Sequence, residues 1–264
     1  MLATIPGFGE QVFYRIISDV PDNVYLTLGT HLFWSGKLPY DMALHYGIEC
    51  NVKRILSLEL FHAVLSYAAE KYTGFQLLGT EKSDYRYMEF RVGAALHLLD
   101  RDIVKDTKIT LISSTGYAGS GVFITAPLRA RRILGLRAGF DLLQGRATFD
   151  DSHVFPITAR SFYAGVSWTS LQTYKTWAVQ YGKPAASRKF QISLDLLFMP
   201  DDAQIVALGG EAAKIGFRAL FTAKSTFLSF FCEAGMKPGL AGNFYFSTGF
   251  GGKFSWVVKP LSIN

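Results

Sequence analysis

Nearly all the residues of this 264-residue chain that could do chemistry stand singly between apolar neighbours; Lys189, next to Arg188, is the exception. Glu49, Glu59, Glu89, Asp141, Asp195 and Glu233 are the acids in such places. Arg91, Arg137, Lys189, Lys214 and Arg218 are the bases, and His45 and His97 accompany them. The two signs nearly balance, whereas a strongly selective channel shows one sign dominating its constriction. Two uses fit a balanced set: a ladder of cross-strand ion pairs, or an eyelet that binds a charged solute.

Catalytic readings fit less well. His45 and His97 with Glu49 or Glu89 suggest a metal or acid–base pair, but no third partner stands at a defined spacing. A hydrolase of the serine type needs a serine, a histidine and an orienting amide near one rim. Ser57, His62 and Asn51 can be named, yet His62 lies where the residue alternation breaks down. The run Gly116–Gly121 lacks the lysine and hydroxyl ending of a phosphate loop, so it reads as a hairpin turn. Cys50 and Cys232 have no metal spacing and could bridge only on adjacent strands. The expectation is a protein that is not an enzyme and needs no cofactor.

The elements that must position these residues are strands. Side chains alternate sides along a strand with a period of two. In Tyr85 to Leu98, Met88, Phe90, Val92, Ala94, Leu96 and Leu98 oppose Tyr87, Glu89, Arg91, Gly93, Ala95 and His97. In Asn243 to Trp256, Phe244, Phe246, Phe250, Phe254 and Trp256 share one face, opposite Tyr245, Ser247, Gly249, Gly251 and Lys253. The same pattern marks 24–34, 42–52, 56–61, 133–143, 161–169, 174–181, 188–199, 214–223 and 227–236, and more weakly 107–115, 121–126 and 203–208. That reading gives fourteen strands, or twelve if weak pairs merge.

Composition assigns the apolar face to lipid. The chain is 49% hydrophobic and only 18% charged, without the continuous apolar run that a spanning helix needs. High apolar content split between alternate residues is the mark of a strand-built membrane protein. The net charge of +6 is spread over turns, with no basic stripe and no nucleic-acid motif, so nucleic acid is not expected as a partner.

The predicted fold is all-β, a closed antiparallel transmembrane β-barrel over 23–256, with an N-terminal arm (1–22) and a C-terminal tail (257–264). The arm is placed inside the barrel or across its mouth, and it shows no secretory signal. Turns at 53–54, 99–106, 127–132, 170–173, 200–203 and 224–226 fall on one side with both termini. The long loops 66–84 and 144–158 fall on the other. Outer-membrane barrels have short periplasmic turns and long external loops, so both termini are expected in the periplasm.

Over 24–256 this pattern resembles bacterial outer-membrane β-barrel proteins, and the aromatic closing strand resembles their assembly signal. Ser161-Phe162-Tyr163-Ala164-Gly165-Val166-Ser167-Trp168 is faintly similar to a strand of the PorP/SprF-type proteins of type IX secretion and gliding motility. The strand count is similar to that of FadL-type transporters. These resemblances imply an outer-membrane location and the lipid bilayer as partner. A bore of about fourteen strands is too wide for side chains to fill, which favours a pore or transporter for small solutes. The alternative is a structural subunit that anchors a secretion or motility assembly through other envelope proteins.

Overall fold

The computed structural model describes residues 2–4, 11–18, 24–35, 38–52, 54–64, 86–113, 121–149, 153–178, 185–200, 213–238 and 244–256. Its strands are β1 (Leu2–Thr4), β2 (Gln11–Ser18), β3 (Val24–Ser35), β4 (Leu38–Val52), β5 (Leu56–Val64), β6 (Arg86–Ser113), β7 (Gly121–Phe149), β8 (His153–Ala178), β9 (Ala185–Phe198), β10 (Ile215–Lys224), β11 (Leu228–Met236) and β12 (Phe244–Trp256). Strands β3 to β12 each pair antiparallel with the next in sequence, and β12 pairs back onto β3 from Tyr245↔Ser35 to Trp256↔Val24. The result is a closed antiparallel barrel of ten strands. We call the end where Val24 meets Trp256 the lower mouth and the end where Ser35 meets Tyr245 the upper mouth.

The all-β class and the closed ring agree with the sequence reading; the counts of fourteen and twelve do not. Segments 85–98 and 107–115 are one strand, β6, of 28 residues. Likewise 121–126 and 133–143 are one strand, β7, and 161–169 and 174–181 lie along β8 as far as Ala178. The charged clusters that look like turns face each other instead: Arg101 opposes Arg132, Asp102 opposes Arg131 and Val104 opposes Arg129. Asp100 accepts hydrogen bonds from Arg131 Nε at 2.7 and 2.9 Å. The opposite-charge contacts of Arg131 with Asp100 and Asp102 support an extended hairpin that has left the wall. The proposed loop 144–158 is mostly ladder, ending at Phe149↔His153. The strand expected at 203–208 and the loop at 66–84 lie outside the described residues. The likeness to FadL-type strand counts falls with the count.

Beyond Leu96 and Arg131, β6 and β7 no longer have β5 and β8 beside them and run on as a two-stranded ribbon at the lower mouth. Gln172 donates to Thr107 Oγ1 at 2.8 Å and ties this ribbon to β8. Of the arm's described residues, β2 lies neither in the lumen nor across the mouth: it pairs with β8 from Tyr14↔Ala178 to Ser18↔Tyr174 and extends the wall.

The wall is apolar outside and polar inside. Along β9, Phe190, Ile192, Leu194, Leu196 and Phe198 are 42–58% exposed, while Lys189, Gln191, Ser193, Asp195 and Leu197 are at most 9% exposed. Leu136, Phe162, Val166, Phe217, Phe246 and Phe250 are exposed on other strands in the same way. Water does not tolerate an apolar band on every strand of a ring, and hydrocarbon requires both the band and the closure.

Candidate functional site

The lumen holds the charged residues, arranged in two storeys. In the upper storey three arginines share five carboxylates. Arg91 Nη2 donates to Glu89 at 2.9 Å and to Glu233 at 2.7 Å, and its Nε lies 3.6 Å from Asp141. Arg137 Nη1 reaches both oxygens of Asp195 at 3.2 and 3.1 Å, and its Nη2 pairs with Glu59. Arg218 donates through Nε and Nη2 to Asp195 at 2.9 and 2.8 Å, and through Nη1 to Asp141 at 2.8 Å. Lys237 pairs with Glu89 and approaches Asp141 at 3.8 Å.

Two tyrosines complete this network. Tyr163 donates to Glu59 at 2.9 Å and Tyr245 to Glu233 at 2.5 Å. The Arg218 guanidinium lies 4.5 Å from the Tyr163 ring centre, a cation–π distance. A Cβ at Gly93 or Gly139 would run into the Tyr163 phenol, so these two glycines clear the space that the ring fills. The network draws on every strand from β5 to β12. Apart from the half-buried Glu59, its charged members are withdrawn from solvent, with Arg218 1%, Asp141 2% and Asp195 3% exposed. A water-filled bore would leave them wet.

Below it, His31, His45, Phe61 and Phe231 form a ring cluster with centroids 5.3–6.0 Å apart. The lower storey is built from lysine. Lys189 and Lys224 both pair with Glu49, the latter at 3.0 Å, and Lys189, Lys224 and Lys253 lie 5.4–5.6 Å from the centre of the Tyr25 ring. A cavity of about 80 Å³ lies between the storeys, lined by His45, Glu49, Glu59, Arg91, Gln191 and Lys224 among others. A second, of about 20 Å³, is bordered by Asn51, Ser57, His97, Ser167 and Lys189.

Ten of the eleven charged residues singled out in the sequence therefore meet in the lumen. Lys214 does not: it is exposed and precedes β10, whose first inward positions are Gly216 and Arg218. Lys224, Lys237 and Lys253 were missed. Lys253 stands on the polar face of the closing strand, where alternation alone marks it. Lys224 and Lys237 end or follow their strands and read as turn residues.

His62 faces the Tyr46 and Phe90 rings at 5.0 and 6.2 Å, on the other side of the wall from Ser57. The histidine that reaches Ser57 is His97, with Ser57 Oγ 2.7 Å from His97 Nε2 and 2.7 Å from Asn51 Oδ1. Cys50 and Cys232 are free, on strands that are not neighbours. Among the described residues no three His, Cys, Asp or Glu side chains converge as a metal site.

No protein-family model and no curated protein matches the sequence. The eight-residue likeness to PorP/SprF-type proteins goes no further. Solved structures with some similarity include CymD, a monoaromatic hydrocarbon channel, at 9% identity over 90% of each chain with a TM-score of 0.30. Another is Ail, the attachment invasion locus protein of Yersinia pestis, at 7% identity over 89% of this chain and 100% of that one, TM-score 0.29. A third is OmpT lacking loop L8, an outer membrane protein of Vibrio cholerae, at 8% identity over 91% and 99% of the chains, TM-score 0.19. These likenesses are too low to argue a use for the lumen.

Proposed function

We propose that this chain is an integral outer-membrane barrel with a shut lumen, serving as the anchor of an envelope assembly such as a secretion or motility machine. The observation that carries this reading is the arginine–carboxylate network. A solute crossing the lumen would have to part Arg218 from both Asp141 and Asp195 and leave buried charges unpaired, at a cost of about 3–5 kcal/mol for each broken pair. The preference for a pore rested on the bore of fourteen strands, and ten strands carrying arginine and tyrosine side chains leave no such bore.

An outer-membrane location is supported by the even strand number, the lipid-facing band and the unequal connections. Joins at 65–85 and 199–214 lie at the upper mouth, while β4–β5 and β10–β11 are joined tightly at the lower. Short turns belong to the periplasmic side in such barrels. On this reading the lower mouth, with the β6–β7 ribbon and the β2 addition to β8, faces the periplasm, where an assembly would dock.

Two measurements test this reading together. Purified from native membranes in mild detergent, the barrel should elute with stoichiometric partners. In proteoliposomes the barrel alone should give no swelling in a pentose solution. A solitary barrel that swells vesicles contradicts the proposal.

A further inference from the structure

At the lower rim four side chains converge outside the two storeys: Asn51, Ser57, His97 and Asp100, the last ion-paired with Arg131. Asn51 on β4 directly opposes Ser57 on β5, and Ser57 opposes Ala95 on β6, which puts His97 on the same inward face one step down. Asp100 would ordinarily point the other way, since residues three apart in a strand lie on opposite faces. A register shift between His97 and Leu99 reverses that parity, so Leu98 and Leu99 both face outward (52% and 62% exposed) and Asp100 turns back inward. Its Oδ2 lies 3.8 Å from His97 Nδ1. Bulges recur beside active sites because they re-aim side chains in this way. Two further contacts hold the geometry: the His97 amide donates to the Ile55 carbonyl at 2.7 Å, and Arg131 grips Asp100 through Nε at 2.7 and 2.9 Å.

From this arrangement we infer that Ser57 is a nucleophile with His97 as its general base, and that the lower rim hydrolyses carboxylic esters. The proton arrangement decides competence. With the Ser57 hydroxyl donated to Asn51 Oδ1, both Asn51 Nδ2 and His97 Nδ1 are buried without a hydrogen bond. Rotating the amide and the hydroxyl lets Asn51 Nδ2 donate to Ser57 Oγ and Ser57 donate to His97 Nε2. His97 Nδ1 then carries its proton toward Asp100. That state is the serine–histidine–carboxylate relation of known hydrolases, reached here in the order serine, histidine, aspartate along β5 and β6.

In the reaction, Ser57 Oγ bonds to the acyl carbon as its proton passes to His97 Nε2. The imidazolium formed faces the Asp100 carboxylate. Expulsion of the alcohol breaks the ester bond, and the alcohol leaves with that proton. Water then gives a proton to His97 and its oxygen to the acyl carbon. The carboxylic acid departs, and Ser57 regains its proton from His97. The cavity of about 20 Å³ beside Ser57 and His97 has room for the one water that deacylation needs. The ester can come from lipid or from solution.

The test uses the folded barrel in detergent micelles, with heat-modifiable gel mobility confirming the fold of each variant. A short dialkyl fluorophosphate should add to Ser57, releasing fluoride, as read by intact mass and peptide mapping. Hydrolysis of p-nitrophenyl acetate and of a short-chain phosphatidylcholine should be compared, which separates a soluble from a lipid substrate. Ser57→Ala should abolish labelling and hydrolysis, and His97→Gln should slow labelling about 10²–10⁴-fold. Absence of an adduct on the folded protein, an adduct on a different serine, labelling that His97→Gln leaves at full rate, or turnover of neither ester would each overturn the assignment. None of these results bears on the shut lumen.

Discussion

The two storeys of the lumen differ in how many charges they hold and in how they use them. Above, arginine forks share carboxylates so that Asp195 accepts from both Arg137 and Arg218. Below, Lys189 and Lys224 converge on Glu49 beside the Tyr25 ring, with cavities next to them. A guanidinium presents several donors in a fixed plane, whereas an ammonium is a compact charge on a flexible stem. The upper storey is therefore a cross-brace and the lower one a polar vestibule. On the proposed function, closure and chemistry are divided between them: the brace shuts the barrel, and the vestibule has the space for a reacting group.

Substitutions can break that division. The largest effect is expected from Arg218→Met, which leaves Asp141 and Asp195 short of their shared partner. It should destabilise the folded barrel by about 3–5 kcal/mol in denaturant unfolding from detergent or vesicles. Leu136→Arg tests the wall instead of the lumen. At the middle of the lipid face it should cost about 2–4 kcal/mol in the same titration. Lys224→Met removes one of the two lysines that hold Glu49. The vestibule should lose about 1.5–3 kcal/mol, since Lys189 keeps the carboxylate paired. A loss as large as that of Arg218→Met would erase the distinction between the storeys.

The smallest effect is expected at the rim, where Arg54 and Asp102 pair at 2.7 Å in full view of solvent. The hydrogen bond and charge of Asp102 raise the Arg54 pKa above its ordinary value. Such exposed pairs contribute about 0–1 kcal/mol, so Asp102→Asn should be nearly silent in unfolding.

Much of this was legible in the sequence, and the limits are physical. Period-two alternation is a local property, so it placed Glu89, Arg91, Asp195 and Arg218 inside and the phenylalanines of the closing strand outside. Strand continuity is not local. The charged run Asp100–Asp106 and the basic run Arg129–Arg132 each read as a turn, and only their mutual pairing shows both to be extended. That error inflated the strand count and with it the bore. The parity change after His97 is likewise invisible without its partner strand, so alternation could not turn Asp100 inward, and only the β5–β6 register shows that His97, not His62, meets Ser57. Ion-pair partners such as Arg91 and Glu233, 142 residues apart, follow from closure of the ring and from nothing nearer.

The shut lumen is tested most directly by single-channel recording in planar bilayers. The wild-type barrel should insert without steady conductance steps, and Arg218→Met, if it still folds, should show transient openings. Stable, uniform steps from the wild-type protein would contradict the account.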